Sequence, residues 1–542
     1  GVKADQYLVG TRPEQITRTI VVGDRQSTSS RSIARVKGRL INIETGEPVA
    51  GATMVDLESG KGSVSDHSGH VSMALTPGKH SMRFSFIGME PIDLTLEVLS
   101  DGDFQLEMRS AVIALDEVQI LGEQYRDINT TDIGVERFSM NSLKQVPVFM
   151  GERDVIKISK LLPGITSAGE ASVGVNVRGG NVDQNIFYIN RLPVYNTSHL
   201  FGFFSAFNSD IIRDFSIYKG HVPVNYGGRL SSVFDILTRK VNNKAFTAHA
   251  GISPVSAHAT IEGPIKKEHS SYMLSGRSSY SDWILKRMQD PLIRDSEAFF
   301  YDFSGSLNFQ PNPKNTINIF YYQSYDEFRY SDLSDYEYAN RGGSVSWENH
   351  ISPALTTKVT AASSSYRFSN TDQSEISRAY THEYMLNHNE LVAEFEWVPS
   401  LRHKIEFGSS LIYYRLDRGV VEPYGDASIR DEVDLGKEQA LEGGIFVSDN
   451  YEVNDWLTLY AGVRYSLYSM LGPQTVMLYE EDKPKSENTI IDSLFFDDWE
   501  AVNFHSGPEF RVAVNMKAGP NTSFKLSFNQ MRQYLFMLSN TV

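Results

Sequence analysis

The chain has 542 residues and no cysteine, which excludes disulfides and thiolate metal sites and suits an exported chain that avoids thiol chemistry in an oxidising compartment. Lys+Arg 51 against Asp+Glu 67 gives a formal net charge of −16; with no long basic run, this argues against nucleic acid or an anionic lipid surface as the main partner and leaves cationic or neutral ligands open. The length calls for several domains, because one core rarely grows past about 250–300 residues.

Mean hydropathy is −0.30, and no apolar run reaches the roughly 18 residues of a transmembrane helix. A transmembrane β-barrel has the same signature, since its strands alternate lipid-facing apolar with lumen-facing polar residues. The 27 Tyr and 30 Phe suit its aromatic girdles and loops. No signal peptide precedes Gly1, as expected of a mature form or an interior fragment.

Residues 1–33 are polar except for one β-like piece, Ile16 to Asp24, and read as an N-terminal tail or the end of a preceding domain. Over residues 34–113 short strands recur between turn signals at Thr45-Gly46, Ser59-Gly60, Ser68-Gly69 and Pro77-Gly78, with Phe84 and Phe86 opposite Arg83 and Ser85. That pattern predicts a small Ig-like β-sandwich. Residues 114–128 hold a strand-like run with an acidic pair, Leu115 to Leu121. It suits either an extended peptide that adds to another protein's sheet or the last strand of the sandwich.

Residues 129–240 begin with one or two amphipathic helices, in which Val155, Ile158, Leu161 and Leu162 share a face and Pro163-Gly164 is the stop. Strand-like runs follow at Val175 and Val177, at Ile186 to Ile189 and at Phe215 to Tyr218, with a short helix expected at SDIIRDF, capped by Ser209. Two glycine pairs, Gly179-Gly180 and Gly227-Gly228, stand beside Arg178 and Arg229 and mark tight turns. A small mixed α/β domain results.

Residues 241–542 are a series of about a dozen alternating strands, clearest at Ser523 to Asn529, where Phe524, Leu526 and Phe528 share one face. Glu394 and Glu396 lie on the polar face of another. Periodicity alone fits a soluble sandwich or a barrel. Tight links at Pro311 to Asn315, Glu452 to Trp456 and Lys517 to Asn521 alternate with long polar excursions near Tyr325 to Gly343, Tyr366 to Thr381, Arg415 to Lys437 and Tyr468 to Phe504. Short turns at one end and long loops at the other favour the outer-membrane barrel.

The segments VNVRGGNVDQNIFYINRLPVYN, HLFGFFSAFNSDIIRDFSIYKG and VNYGGRLSSVFDI, in that order, resemble the plug domain of TonB-dependent outer-membrane receptors in the form common among Bacteroidetes. Residues 34–113 resemble the carboxypeptidase-regulatory-like domain found before such plugs. The resemblance implies a mainly β chain: the sandwich, the plug, and the N-terminal part of an antiparallel transmembrane β-barrel. It also implies an outer-membrane transporter with its N-terminal domains in the periplasm, importing a siderophore or metal chelate, a glycan or a peptide.

Under that resemblance Asp116, Glu117, Val118, Gln119, Ile120 and Leu121 form a TonB box, engaged by a TonB-type energy-transducing protein working with ExbB and ExbD. Arg178, Gly179, Gly180, Tyr226, Gly227, Gly228 and Arg229 are the plug motif, its arginines set against lumen acids for which Glu394 and Glu396 are candidates. Substrate would meet Asn181, Asp183, Gln184, Tyr195, His199, Phe201 and Phe204 on outward plug loops. A glycan or peptide importer with a surface lipoprotein lid is the narrower alternative, and a non-transporting surface adhesion protein is the rival class.

No GxSxG, HExxH, phosphate-loop or EF-hand spacing occurs, so neither an enzyme nor a cofactor is expected. His382 with His388, and His67 with His70, read as surface histidines, and the acidic clusters at Asp332, Asp335 and Glu337 and at Glu480 to Asp482 as solvated loop faces.

Overall fold

The computed structural model describes residues 18–24, 33–43, 48–66, 68–86, 89–109, 131, 133–139, 152, 154–167, 174–352, 354–400, 402–454, 456–519 and 522–536. The segment Asp116–Leu121 and His67 lie outside the described residues. The chain divides into two units, Gly1–Ile128 and Asn129–Val542.

The first unit is a two-sheet sandwich. One sheet orders Arg18–Val22, Ile92–Val98, Gly78–Ser85, Thr53–Asp56 and Gly62–Val64; the other orders His70–Leu75, Ala34–Asn42 and Gly102–Met108. Alternate residues turn inward, so that Val36, Leu40, Met54, Met82, Phe84 and Leu96 are fully buried, and Phe84 meets Phe104 edge-on at 5.7 Å. The expectation that residues 1–33 stand outside this domain fails for Arg18–Val22, which pairs in parallel with Ile92–Val98 and buries Val22. A parallel partner more than seventy residues away leaves no local signal.

Asp56 ties a turn of the sandwich together. Its carboxylate accepts from the Ser59 hydroxyl at 2.6 Å and the Glu58 amide at 3.2 Å, with His80 Nδ1 at 3.3 Å. Burial alone would raise its pKa, but these partners outweigh it and hold the carboxyl below the usual range.

The second unit builds a plug inside a wall. The plug sheet orders Leu192–Val194, Asn185–Ile189, Ser232–Thr238, Ile212–Tyr218 and Val135–Ser139, with Asn185–Ile189 and Ser232–Thr238 parallel and the other pairs antiparallel. Its helix, Val155–Ser159, is a single turn capped by Asp154, whose carboxylate accepts from the Ile156 and Lys157 amides at 2.9 Å. Val155 and Ile158 are buried as their spacing requires, but the helix stops before Leu161, which is 78% exposed. At SDIIRDF the expected helix is one 3-10 turn, Ser209–Ile211, capped by the Asn208 side chain rather than by Ser209, and the β-branched and aromatic residues after it continue as strand Ile212–Tyr218.

The wall is an antiparallel ladder of thirteen strands running from Thr247–Ile252 to Thr522–Gln530. Five of its connections are two residues long, between Asn312 and Asn315, Ser352 and Leu355, Ser400 and His403, Asn454 and Leu457, and Gly519 and Thr522. The opposite end carries the longer ones, up to the segment between Leu471 and His505 with its own hairpin, Gln474–Tyr479 and Ile490–Phe496. The excursion expected near Tyr325 to Gly343 is not a loop: strands Asn315–Tyr330 and Ser334–Ser352 pair across almost all of it. Charged and aromatic residues are mixed on both faces, so the alternation fades while the hydrogen-bond ladder continues. Strands of up to 21 residues exceed the roughly 9–11 that cross a bilayer, so the wall extends past the membrane.

Burial settles what periodicity left open. Along successive strands the polar face is the buried one: Glu390, Glu442, Arg464, Glu509 and Arg511 are at most 5% exposed, while Leu391, Leu411, Ile445 and Val447 on the other face are 49–63% exposed. A soluble sandwich would do the reverse. An apolar exterior of this extent needs an apolar solvent, so the wall is a membrane-spanning sheet of the kind that builds barrels. Among the described residues no helix is long and apolar enough to cross a membrane.

Two outcomes follow. Transferred from detergent to buffer, the full chain should precipitate; a dispersed, folded protein in light scattering and circular dichroism would contradict the lipid-facing assignment. The Asp56 bonds contribute stability above the unfolded carboxyl pKa and lose it as pH falls through the lower folded value. Asp56→Asn should therefore cost the sandwich about 1.5–3 kcal/mol at pH 7 and flatten its acid limb, read from thermal melts between roughly pH 2 and 7.

Candidate functional site

The chemistry of the second unit is concentrated where plug loops meet the wall. The loop joining Asn185–Ile189 to Leu192–Val194 is a two-residue turn with both Asn190 (φ 49°) and Arg191 (φ 66°) left-handed. Glycine is the usual second residue of such a turn. Arginine here projects into the wall: its guanidinium lies 3.3 Å from Glu390 and over the rings of Tyr226 (4.5 Å) and Tyr188 (5.1 Å). Glu390 also lies 3.3 Å from His388 Nε2, and His388 Nδ1 meets the Tyr195 hydroxyl at 2.7 Å. His388 is thus fully buried and not a surface histidine.

A second cluster surrounds His199. Its two ring nitrogens face Asp326 (2.9 Å) and Asp302 (3.4 Å), and its ring stacks on Phe300 at 4.2 Å. Arg277 completes the group, bonded to Asp302 at 2.7 Å, Glu152 at 3.1 Å and the Ser205 carbonyl at 2.6 Å. A third cluster closes around the YGGR turn. Arg464 donates to the Val224 carbonyl, and Arg511 to those of Pro223 and Tyr226 and to Glu509. A Cβ at Gly227 would run into the Arg464 guanidinium, and one at Gly228 (φ +73°) into the Glu442 carboxylate. Both glycines are needed for this approach of plug to wall.

The expected plug-to-wall pairs are redistributed. Arg178 is exposed beside a cavity of about 790 Å³ lined also by Gly179, Gly180, Lys219 and Ser527 to Met531. Arg229 is buried and donates to the Gly228 carbonyl at 2.8 Å. Glu394 does face the plug, but it accepts from Asn225 at 2.7 Å, and Glu396 lies 3.1 Å from Lys404 of the wall. Alternation put Glu394 on the polar face of its strand without saying which way that face turns, and it could not give the strand register that assigns its partner.

The substrate-facing candidates also separate. Asn181 is exposed and Gln184 lines the cavity, while Asp183 accepts from Gln533. Tyr195 is half-buried against His388 and Tyr366. His199 and Phe204 are buried against the wall, the latter with Phe300 at 5.6 Å, because an apolar loop inside a filled lumen packs on its walls. Phe201 is partly exposed and reaches the upper wall. Arg191, Arg277, Asp302, Asp326, Glu390, Arg464 and Arg511 were missed. For all but Arg191, which sits in a plug turn, the signal was a charge on the polar face of an alternating strand. Among the described residues no group of His, Asp and Glu is arranged to hold a metal ion.

Comparison with solved structures shows which class this geometry belongs to. Similar structures include the ferric-catecholate import receptor Fiu of E. coli K12 in its open form (13% identity, TM-score 0.54, 75% of this chain and 70% of that one). The alcaligin outer-membrane receptor FauA of Bordetella pertussis is similar too (12%, 0.54, 75% and 64%), as is the copper transporter OprC (10%, 0.56, 74% and 63%). The chain spans between 63% and 70% of the length of these three. The second unit therefore has the plugged-barrel fold of TonB-dependent outer-membrane receptors. Ahead of it, residues 36–120 match the family described as CarboxypepD_reg-like domain. No curated protein matches the chain.

The VRGG turn makes a testable case. Arg178 and Gly179 are left-handed (φ 50° and 80°), and a Cβ on Gly180 would lie 2.6 Å from Ser231 Oγ and 2.7 Å from Gln184 Oε1. Gly179→Val should cost about 1–3 kcal/mol through backbone strain and Gly180→Val a similar amount through overpacking. Hydrogen exchange of the plug amides checks both, and Gly179→Ala, strained without the β-branch, should fall between Gly179→Val and wild type.

Proposed function

We propose that this chain is an outer-membrane transporter energised from the inner membrane, with its two-residue turns and N-terminal sandwich on the periplasmic side and its long connections outside. The observation that carries the reading is a membrane barrel whose lumen is filled by a plug tied to the wall through buried charges. A solute passes only if the plug moves. Separating a pair such as Arg191 and Glu390 leaves buried charge uncompensated, at a cost of about 3–5 kcal/mol, so the work has to come from elsewhere.

A TonB box at Asp116–Leu121, pulled by a TonB-type protein with ExbB and ExbD, supplies it. This segment stands between sandwich and plug, and among the described residues the three-stranded sheet already ends on Gly102–Met108. The family match runs on to residue 120, so it overlaps the box without defining its role. For substrate, the names of the similar structures put metal ions and metal chelates first. A glycan or peptide captured under a lipoprotein lid is the alternative within the same class.

Deleting Asp116–Leu121 separates coupling from recognition. With a panel of labelled metal chelates on whole cells, uptake should fall to background while surface binding stays within about twofold, because the box supplies the conformational step and not the affinity. Equal loss of binding and uptake would refute the coupling.

A further inference from the structure

Three consecutive residues of the plug, Leu200 (φ 49°), Phe201 (φ 55°) and Gly202 (φ 92°), are all left-handed. Single residues visit that region; a run including two with bulky side chains is strained and persists only where its surroundings hold it. Two features of one wall strand do so. Asp326 grips the start of the turn with both oxygens, one on His199 Nδ1 and the other on the Leu200 amide, each at 2.9 Å. Two residues further along the same lumen face, Phe328 receives the Phe201 ring. Tyr336, its cross-strand neighbour, and Tyr338 complete a socket in which all three rings stand nearly perpendicular to that of Phe201, at 4.9, 5.5 and 6.0 Å.

This socket lies near the tip of the hairpin Asn315–Tyr330 and Ser334–Ser352, at the end of the barrel that carries the long connections. Aromatic rings continue from it around the wall, with Tyr338 on Phe368 at 5.0 Å and Phe368 on Tyr384 at 5.2 Å. The nearest lumen acid on its own strand, Asp326, is already engaged by His199 and Leu200. The lining is therefore three aromatic rings and two phenol hydroxyls, with the neighbouring charge of Asp326 committed elsewhere, which suits an uncharged aromatic ring.

We propose that the Phe328–Tyr336–Tyr338 socket is a ligand subsite for an uncharged aromatic group, and that Phe201 is its resident occupant, held there at the cost of backbone strain. A ligand ring arriving from the open end competes with Phe201, and its binding is assisted by relaxation of Leu200–Gly202. Occupancy of the subsite is thereby converted into a change in the plug loop that Asp326 anchors. Its place as a substrate subsite rests on the receptor reading above; ring binding itself can be measured without transport, so the two fail separately.

The test uses the full chain in detergent with 4-fluorophenol as probe, followed by fluorine NMR. Phe201→Gly empties the socket and relieves the left-handed strain, so the variant should fold and bind the probe at least tenfold more tightly than wild type. Adding Phe328→Ala and Tyr336→Ala should return binding to the wild-type level. Probe affinity in Phe201→Gly no better than wild type, or undiminished in the triple variant, overturns the proposal. A second arm needs no variant: hydrogen exchange at Leu200–Gly202 in the wild-type chain should rise at least threefold at saturating probe, and unchanged exchange equally overturns it.

Discussion

Polarity turned inside out is the constraint on which the second unit depends. A wall that presents Leu391, Leu411 and Ile445 to lipid must turn Glu390, Glu442 and Arg464 inward, and charges facing inward need partners or water. The plug supplies the partners, and its loops have a matching need. Buried beside the sheet and not within it, they carry backbone carbonyls that must be satisfied, and the wall reaches several with a side chain: Tyr322 for Ala206, Asn340 for Asn196 and Ser344 for Asn190. Ser364 does the same for Pro193 on the edge strand of the plug sheet. Irregular backbone at membrane depth is tolerable because it is enclosed in protein. Wall and plug each satisfy polar groups the other would leave bare.

This mutual satisfaction accounts for one set of the plug's left-handed residues, from which Arg178 and Gly179 on the exposed VRGG turn stand apart. Asn190 and Arg191, Leu200 to Gly202, and Gly228 all lie on loops pressed against the wall. At Arg191 the conformation aims a long cation at Glu390; at Gly228 it lets the chain approach Glu442. Strained residues gather at several points of this contact surface, while the inner plug strands Asn185–Ile189, Ser232–Thr238 and Ile212–Tyr218 carry an ordinary apolar core of Ile189, Phe215, Phe234 and Ile236.

Much of the architecture was legible in the sequence because it is periodic. Alternation with a period of two gave the sandwich and the wall strands and put Glu394 on the polar face of one of them, while the direction of that face took the folded structure to decide. What stayed hidden depends on contacts distant along the chain. The parallel pairing of Arg18–Val22, the partner of Glu394 and the burial of His199 between two wall strands all require a register that no local pattern encodes. The stretch from Tyr325 to Gly343 failed differently, since strand above the bilayer needs no apolar face. The helix at Val155–Ser159 was placed correctly and drawn too long, because apolar spacing continued past the residues that the core buries.

The position of Val135–Ser139 has a mechanical consequence. It is an edge strand of the plug sheet, held along one side by Ile212–Tyr218 through five residue pairs. Tension transmitted from the N-terminal side of the chain reaches this strand before any other in the plug. Loaded in the peeling direction, an edge strand separates from its neighbour pair by pair, so that peak force is set by one or two hydrogen bonds and not by the sum of all of them. The central strands, bonded on both sides and packed on the core, stay behind. A load in that direction would meet a soft margin before a hard middle.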